Sequence, residues 1–243
     1  MSAPLVMLHG WAMHSGVWRE LAERLGRRRE VIVIDLPGHG ERPYHPFDLV
    51  RLADQLAAEV DLRADWLGWS LGGSVALALA VRHPERVRRL LLTAATPRFV
   101  TGAGWPHGLD REVLDHFAAG IRDDYDATLR RFLFLQTRGG HDARALQRTL
   151  CARLADHRPL PQALDDGLAI LRDSDLRPQL ARIDAPALWL HGERDTLTPA
   201  AAAVEAAASM PNAACRLLSG AAHAPFLSHP DDFVAAAEEF LHG

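Results

Sequence analysis

The sequence predicts an α/β fold: a mostly parallel central sheet flanked by helices. Three observations carry this reading. Short apolar or β-branched runs alternate with stretches of helical spacing. Several of the runs close on Gly-containing turns, as buried parallel strands do where they enter a loop. The one long break in the alternation, residues 98–182, has helical periodicity and no strand, which reads as a helical insertion.

Taken in order, Pro4 to Leu8 is an apolar run ending at His9-Gly10, a buried strand entering a turn. Val17, Leu21 and Leu25 share a helical face. Val31 to Ile34 is β-branched and closed by Asp35-Leu36-Pro37-Gly38, so a second buried strand is expected there. Leu49 to Val60 reads as a helix, Trp66 to Trp69 as a strand, Gly72 to Val81 as a helix and Val87 to Ala94 as a strand. After the insertion the alternation resumes with Ala187 to His191, Pro199 to Ala208, Cys215 to Leu218 and Pro230 to Leu241. The predicted organisation is a core domain of residues 1–97 and 183–243. Residues 98–182 are inserted in it as a lid, because loops leaving the carboxyl ends of parallel strands border the ligand crevice.

Composition narrows the function. The 243 residues are 48% hydrophobic and 24% charged, ordinary globular usage that excludes disorder or coiled coil as a description of the chain. The net charge of −4 supplies no global basic field for nucleic acid. All 27 basic residues are Arg, which removes Schiff-base and phosphate-loop lysine chemistry. Cys151 and Cys215 are too few for a disulfide framework or a four-cysteine zinc site. Met1 to Met7 has no basic segment before its apolar run, and the longest apolar run, Val75 to Val81, is too short to span a bilayer. A cytoplasmic monomer without nucleic-acid or membrane partners is expected.

Gly68-Trp69-Ser70-Leu71-Gly72 fits Gly-x-Ser-x-Gly between a predicted strand and a predicted helix, the setting that motif requires. Such a turn forces the Ser into a strained conformation with its hydroxyl exposed, and leaves no room for side chains at 68 and 72. The following helix points its first N–H groups at developing negative charge. The alternative is a Gly-rich turn with an idle Ser.

A nucleophilic Ser needs a base, and the base an orienting acid. Asp195 follows the strand ending Leu190-His191-Gly192, where a turn or helix-start Asp is the competing reading. His223 lies in Gly220-Ala221-Ala222-His223-Ala224-Pro225, among small residues that leave it free to approach Ser70. The chain has 13 His, and His9, His191 and His229 compete for the role; His9 and His191 precede Gly at strand ends and are read as shaping their turns. His9-Gly10-Trp11 follows an early strand, as the donor loop of an oxyanion hole does, so the backbone N–H groups of Trp11 and Leu71 are the candidate donors.

These residues resemble the serine hydrolases of the α/β-hydrolase superfamily over almost the whole chain. His9-Gly10-Trp11 with Val17-Trp18, Trp66 to Gly73, Phe132 to Thr137 and His223 to Pro230 are together similar to the carboxylesterases that cleave pimeloyl-acyl-carrier-protein methyl esters in biotin synthesis. The resemblance implies the α/β-hydrolase fold, with Ser70 as nucleophile, Asp195 as orienting acid and His223 as base. It implies oxyanion-hole amides at Trp11 and Leu71, and an acyl site lined by Trp11 and Phe132. It implies a carrier-protein partner bearing the pimeloyl methyl ester, and no metal or organic cofactor. Two departures stand out. The first buried strand stands almost at the start of the sequence, where the family usually has an antiparallel strand pair before it, so a shorter sheet edge is expected, and Ala127 stands where the family has a lid arginine.

Charge offers a separate test of the partner. Residues 127–158 hold seven Arg against two Asp, a local net of +5 in an acidic chain. Arg144 and Arg148, at i and i+4, share a helix face, and Arg131 and Arg138, seven apart, are expected to share another. With those four as candidate contacts, a basic lid suits an acidic carrier and its phosphate-bearing arm; a solvated helix face is the bland alternative. Two other classes fit the motifs: a same-fold hydrolase of small esters, lactones or carbon–carbon bonds, and a binding protein that keeps the fold without turnover. Dehalogenases and epoxide hydrolases of this fold use Asp where Ser70 stands.

Overall fold

A computed structural model describes residues 2–242; Met1 and Gly243, the outermost residues of the predicted core domain, lie outside the described residues. Six strands form one all-parallel sheet: β1 (Leu5–Leu8), β2 (Val31–Ile34), β3 (Ala64–Trp69), β4 (Val87–Thr93), β5 (Ala187–Gly192) and β6 (Ala213–Leu218). Their order across the sheet is β2-β1-β3-β4-β5-β6. The chain therefore reverses direction across the sheet between β1 and β3. The carboxyl ends on either side of that point open the crevice where α/β proteins bind ligands.

The strands account for the core. Every residue of β1, β3 and β5 is buried, as expected of central parallel strands covered on both faces. All six Trp are buried. The expectation of a second buried strand at Val31 to Ile34 is corrected: only Ile34 is buried, and Val33 is 42% exposed. The reason is position. β2 is the outer strand and pairs on one side alone, so its β-branched residues meet β1 through the backbone while their side chains reach solvent.

The helices follow their apolar faces. In α1 (Arg19–Leu25), entered through a 3-10 turn at Ser15–Trp18, Leu21 and Leu25 are buried. In α2 (Leu49–Glu59), Leu52, Ala53, Leu56 and Ala57 face inward, and the Asp48 side chain caps the start by accepting from Arg51 N at 2.9 Å. α3 (Leu71–Arg82) is buried along nearly its whole length, which is why it shows no polar stripe. Between β4 and β5 come α4 (Arg111–Asp123), α5 (Tyr125–Thr137), α6 (Ala143–Asp156) and α7 (Pro161–Asp173), with no named strand among them. After β5 come α8 (Ala200–Ala208), then, beyond β6, the short α9 (Pro225–Ser228) and α10 (Pro230–His242). No helix is long and apolar enough to cross a membrane among the described residues.

One buried charge cluster ties β3 and β4 to the last helix. Asp65, fully buried on β3, accepts from Arg29 Nη1 at 2.9 Å and from Arg88 Nε and Nη2 at 2.7 and 2.6 Å. Arg88 also donates to the Leu241 carbonyl of α10 at 3.1 Å. A carboxylate this buried is tolerable only because both oxygens are met by guanidinium groups.

Candidate active site

The site is assembled where β1, β3, β5 and β6 end. Ser70 occupies the turn from β3 into α3 with φ 55° and ψ −116°, a conformation that costs an L-residue about 1–3 kcal/mol. The surroundings hold it there. Ser70 N donates to the Thr93 carbonyl at 3.1 Å, and its own carbonyl accepts from Gly73 N at 2.9 Å. A Cβ on Gly68 would collide with the Gly72 carbonyl oxygen, and a Cβ on Gly72 with the carbonyl oxygens of Leu8 and His9 on the neighbouring strand end. The two glycines are therefore required by backbone packed against backbone, which cannot give way as a flexible side chain would.

His223 Nε2 lies 2.9 Å from Ser70 Oγ, and His223 Nδ1 lies 2.8 Å from Asp195 Oδ2. All three side chains are essentially closed off from solvent, with Ser70 2% and His223 1% exposed. Burial alone would push the Asp195 carboxyl up. The charge of His223, the hydrogen bonds from His191 and His223, and the charge of His191 outweigh it, so Asp195 is held well below the usual carboxylate range. With Asp195 ionised, Nδ1 of His223 carries the proton it donates, and the Nε2 lone pair is left facing the Ser70 hydroxyl. This geometry can take a proton from a serine oxygen and later return it to a leaving group.

The loop carrying His223 is braced from two sides. The Trp69 indole N–H donates to the His223 carbonyl at 2.7 Å, and the backbone N–H of His223 donates to the Gln136 carbonyl of α5 at 3.1 Å. The Asp195 loop is braced locally: Oδ1 accepts from Leu197 N at 2.9 Å and Thr198 N at 3.0 Å, and Oδ2 from Thr198 Oγ1 at 2.7 Å.

None of the competing histidines is hydrogen-bonded to Ser70 among the described residues. His9 Nε2 accepts from Leu36 N at 2.9 Å, fixing the turns after β1 and β2. His191 Nε2 donates to the Thr198 carbonyl at 2.6 Å, and His229 Nδ1 meets Ser228 Oγ at 2.8 Å.

Trp11 and Leu71 flank Ser70. A Cβ on Gly10 would stand 3.2 Å from Ser70 Cβ, so the His9-Gly10-Trp11 turn runs directly against the serine. Neither the Trp11 nor the Leu71 backbone N–H donates to any acceptor among the described residues. Two free N–H groups in a buried setting are suited to an anionic oxygen. The Trp11 ring is fixed by its N–H to the Leu164 carbonyl at 2.9 Å, and Phe132 packs edge-on against it at 4.6 Å between centroids. Phe117 meets both rings and lines a cavity of about 140 Å³ with Val113, His116, Gly120, Thr128, Arg131 and Leu135.

Arg131, Arg138, Arg144 and Arg148 are all exposed, and their guanidinium groups make no ion pair among the described residues. Arg144 and Arg148 share the outer face of α6, opposite buried Leu146, Leu150 and Leu154. Arg131 lies on α5 and Arg138 caps its end: the Arg138 N–H still bonds the Phe134 carbonyl at 3.1 Å and its φ of −58° is helical, while the chain leaves the helix after it with ψ 132°. Arg153 and Arg158 are ion-paired, with Glu20 and Asp126.

Two residues at the site lay outside the sequence-based candidates. Thr198 contacts Asp195 through its hydroxyl; the Asp-x-x-Thr spacing of a local side-chain turn was the available signal. Gln136, on α5 one hydrogen bond from His223, has a fully buried side-chain amide with neither oxygen nor nitrogen partnered among the described residues. Its only signal was membership of the Phe132 to Thr137 segment.

The alpha/beta hydrolase fold family matches residues 3–230. A protein named pimeloyl-[acyl-carrier protein] methyl ester esterase from Xanthomonas campestris pv. campestris is 44% identical over 240 residues, covering 98% of this chain and 94% of its own. Relatives of the same name from Edwardsiella ictaluri and Nitrosomonas europaea are 42% and 44% identical, covering 98% and 95% of this chain and 93% and 92% of theirs. Among solved structures, an esterase from Exiguobacterium antarcticum aligns with a TM-score of 0.90 at 22% identity, over 100% of this chain and 94% of that one; it speaks to fold alone. A hydrolase from Pseudomonas aeruginosa aligns with a TM-score of 0.82 at 28% identity, over 100% and 91%. Strand order, serine turn and full-length similarity agree: the chain belongs to the alpha/beta hydrolase fold family, beside the methyl ester esterases that it resembles from end to end.

Proposed function

We propose that the protein is a serine carboxylesterase that removes the methyl ester from a pimeloyl chain carried on acyl-carrier protein, in biotin synthesis in the cytoplasm. The observation that carries the chemistry is the Ser70–His223–Asp195 chain of hydrogen bonds at 2.9 and 2.8 Å. The substrate rests on the relatives at 42–45% identity, whose names specify it.

In this reading Ser70 Oγ attacks the ester carbonyl carbon as His223 Nε2 takes its proton. The carbonyl oxygen becomes an oxyanion held by the N–H groups of Trp11 and Leu71. Loss of one such donor costs about 3–4 kcal/mol of transition-state stabilisation. The C–OCH3 bond then breaks, His223 returns the proton, and methanol leaves an acyl-Ser70. A water deprotonated by His223 attacks that ester, and the pimeloyl carboxylate is released with Ser70 restored. Asp195 keeps Nδ1 protonated and stabilises the imidazolium.

Residues 98–182 act as a lid over this site. The near-complete burial of Ser70 supports that role, since substrate reaches the serine only if covering helices part. Phe132 and the Phe117-lined cavity receive the acyl chain beside Trp11, and the orphaned Gln136 amide meets a polar group of the substrate there. Arg131, Arg138, Arg144 and Arg148 face the acidic carrier or the phosphate of its arm; their lack of internal partners supports this.

The test compares methyl pimeloyl-carrier protein with free dimethyl pimelate. The carrier-borne ester is expected to have the far higher kcat/KM. Arg144→Glu with Arg148→Glu is expected to lower it about tenfold or more at low salt while leaving dimethyl pimelate untouched. Equal turnover of both esters by the wild type identifies a general esterase instead.

A further inference from the structure

We propose that Thr198 and His191 are positioning residues. Thr198 shares one oxygen of Asp195 with His223, and His191 braces the loop on which both Thr198 and Asp195 sit. This rests on the reading of Ser70, Asp195 and His223 as a catalytic triad.

Asp195 stands in the loop after β5, and a loop carboxylate has two ways to fail its histidine: it can rotate, or the loop can drift. Oδ1 is held by two backbone N–H groups, from Leu197 and Thr198. Oδ2 has a different set of neighbours. The Thr198 hydroxyl donates to it at 2.7 Å, slightly closer than His223 Nδ1 at 2.8 Å. Thr198 Oγ1 is itself 3.4 Å from His223 Nδ1, so hydroxyl and imidazole flank the same oxygen. The hydroxyl fixes the carboxylate plane and also draws charge from the oxygen that His223 uses.

The loop is tied down by His191. Its Nε2–H donates to the Thr198 carbonyl at 2.6 Å, across the turn from the last residues of β5. The same nitrogen lies 3.3 Å from Thr198 Oγ1 and 3.4 Å from Asp195 Oδ2. His191, Thr198 and the Asp195 side chain are each closed to solvent, so no water substitutes freely for a lost donor. The titratable groups acting on Asp195 are His223, on the loop after β6, and His191, at the end of β5. The Trp69 ring and Ser70, both neutral, lie on the far side of His223.

The sign follows. Removing the hydroxyl leaves Oδ2 with more charge for the imidazolium of His223 and loosens the carboxylate plane. The imidazolium is then harder to deprotonate and the base less well aimed.

The experiment measures hydrolysis of p-nitrophenyl acetate as a function of pH by the wild type, Thr198→Val, Thr198→Ser and His191→Gln. Thr198→Val keeps the side chain's shape without its donor. It is expected to lower kcat roughly tenfold with KM little changed, and to move the acid limb of kcat/KM to higher pH. Thr198→Ser is expected to restore both, and His191→Gln, which keeps an N–H donor, to fall between. If Thr198→Val does not fold, Thr198→Ala carries the same test, since it fits any space that Thr occupies. The proton resonance of His223 Nδ1–H in the resting enzyme reports the same change without turnover. A folded Thr198→Val or Thr198→Ala with wild-type kcat and an unmoved acid limb overturns the proposal. Ser70→Ala is run alongside: turnover surviving in that variant overturns the triad reading itself.

Discussion

A Cβ on Gly167 would stand 2.7 Å from Cδ1 of the Trp11 indole and 3.2 Å from a methyl carbon of Leu71. Helix α7 thus lays bare backbone against the two residues whose amides are proposed to hold the oxyanion.

Gly167→Ala tests that contact. Ala gains about 1 kcal/mol of helix propensity over Gly. Overpacking a filled site costs about 1–3 kcal/mol, so a net stability loss of about 1 kcal/mol is expected. The Trp11 ring cannot yield freely, because its N–H is tied to the Leu164 carbonyl of the same helix and Phe132 packs edge-on against it, so the added methyl strains the turn that carries the Trp11 amide. A kcat loss of about tenfold, well beyond what the stability change explains, should appear when steady-state kinetics and thermal unfolding are measured together.

Ser70 sits in a strained backbone conformation. Ser70→Gly relieves a φ of 55° that glycine adopts freely and gives up the hydrogen bond to His223. Strain of about 1–3 kcal/mol against a bond worth about 1 kcal/mol predicts a variant slightly more stable than wild type and without esterase activity. Urea unfolding and an ester assay on the same preparation decide it; a clearly less stable variant would show that the turn is not strained.

Acid should weaken the fold in two stages. Burial pushes His9 down to about 3, helped by the charge of neighbouring His39, and pushes His39 itself down to about 4. The unfolded chain takes up these protons near pH 6.5 and the native state does not, so stability falls as the pH drops below about 6.5. Between pH 7 and pH 5 each is expected to contribute a loss of about 2 kcal/mol. Asp195 acts lower down. Its depressed value adds stability above the ordinary carboxylate range, lost as pH falls through and below that range. Unfolding free energies of wild type and His39→Gln at pH 7 and 5 check the first stage: the variant should show the shallower slope.

Much of this site was legible in the sequence because its signals are local. Gly68 and Gly72 are demanded by a turn five residues long, and Asp195 and His223 each follow a strand that its own apolar pattern reveals. What escaped depended on neighbours in space. The exposure of Val33 follows from sheet order, which a β-branched run does not encode. The orphaned amide of Gln136 is noticeable only once α5 is seen against the His223 loop. Thr198 lay within reach of a local reading, but Asp195 already had an assigned partner, and the second occupant of its oxygen emerged from distances.

The central claim is covalent turnover through Ser70, and the most direct measurement is mass spectrometry of enzyme quenched within the first turnovers on methyl pimeloyl-carrier protein. The account predicts an acyl group on the peptide containing Ser70, with methanol released in step with its formation. It predicts neither acyl adduct nor methanol from Ser70→Ala. Undiminished methanol release by a folded Ser70→Ala would contradict it.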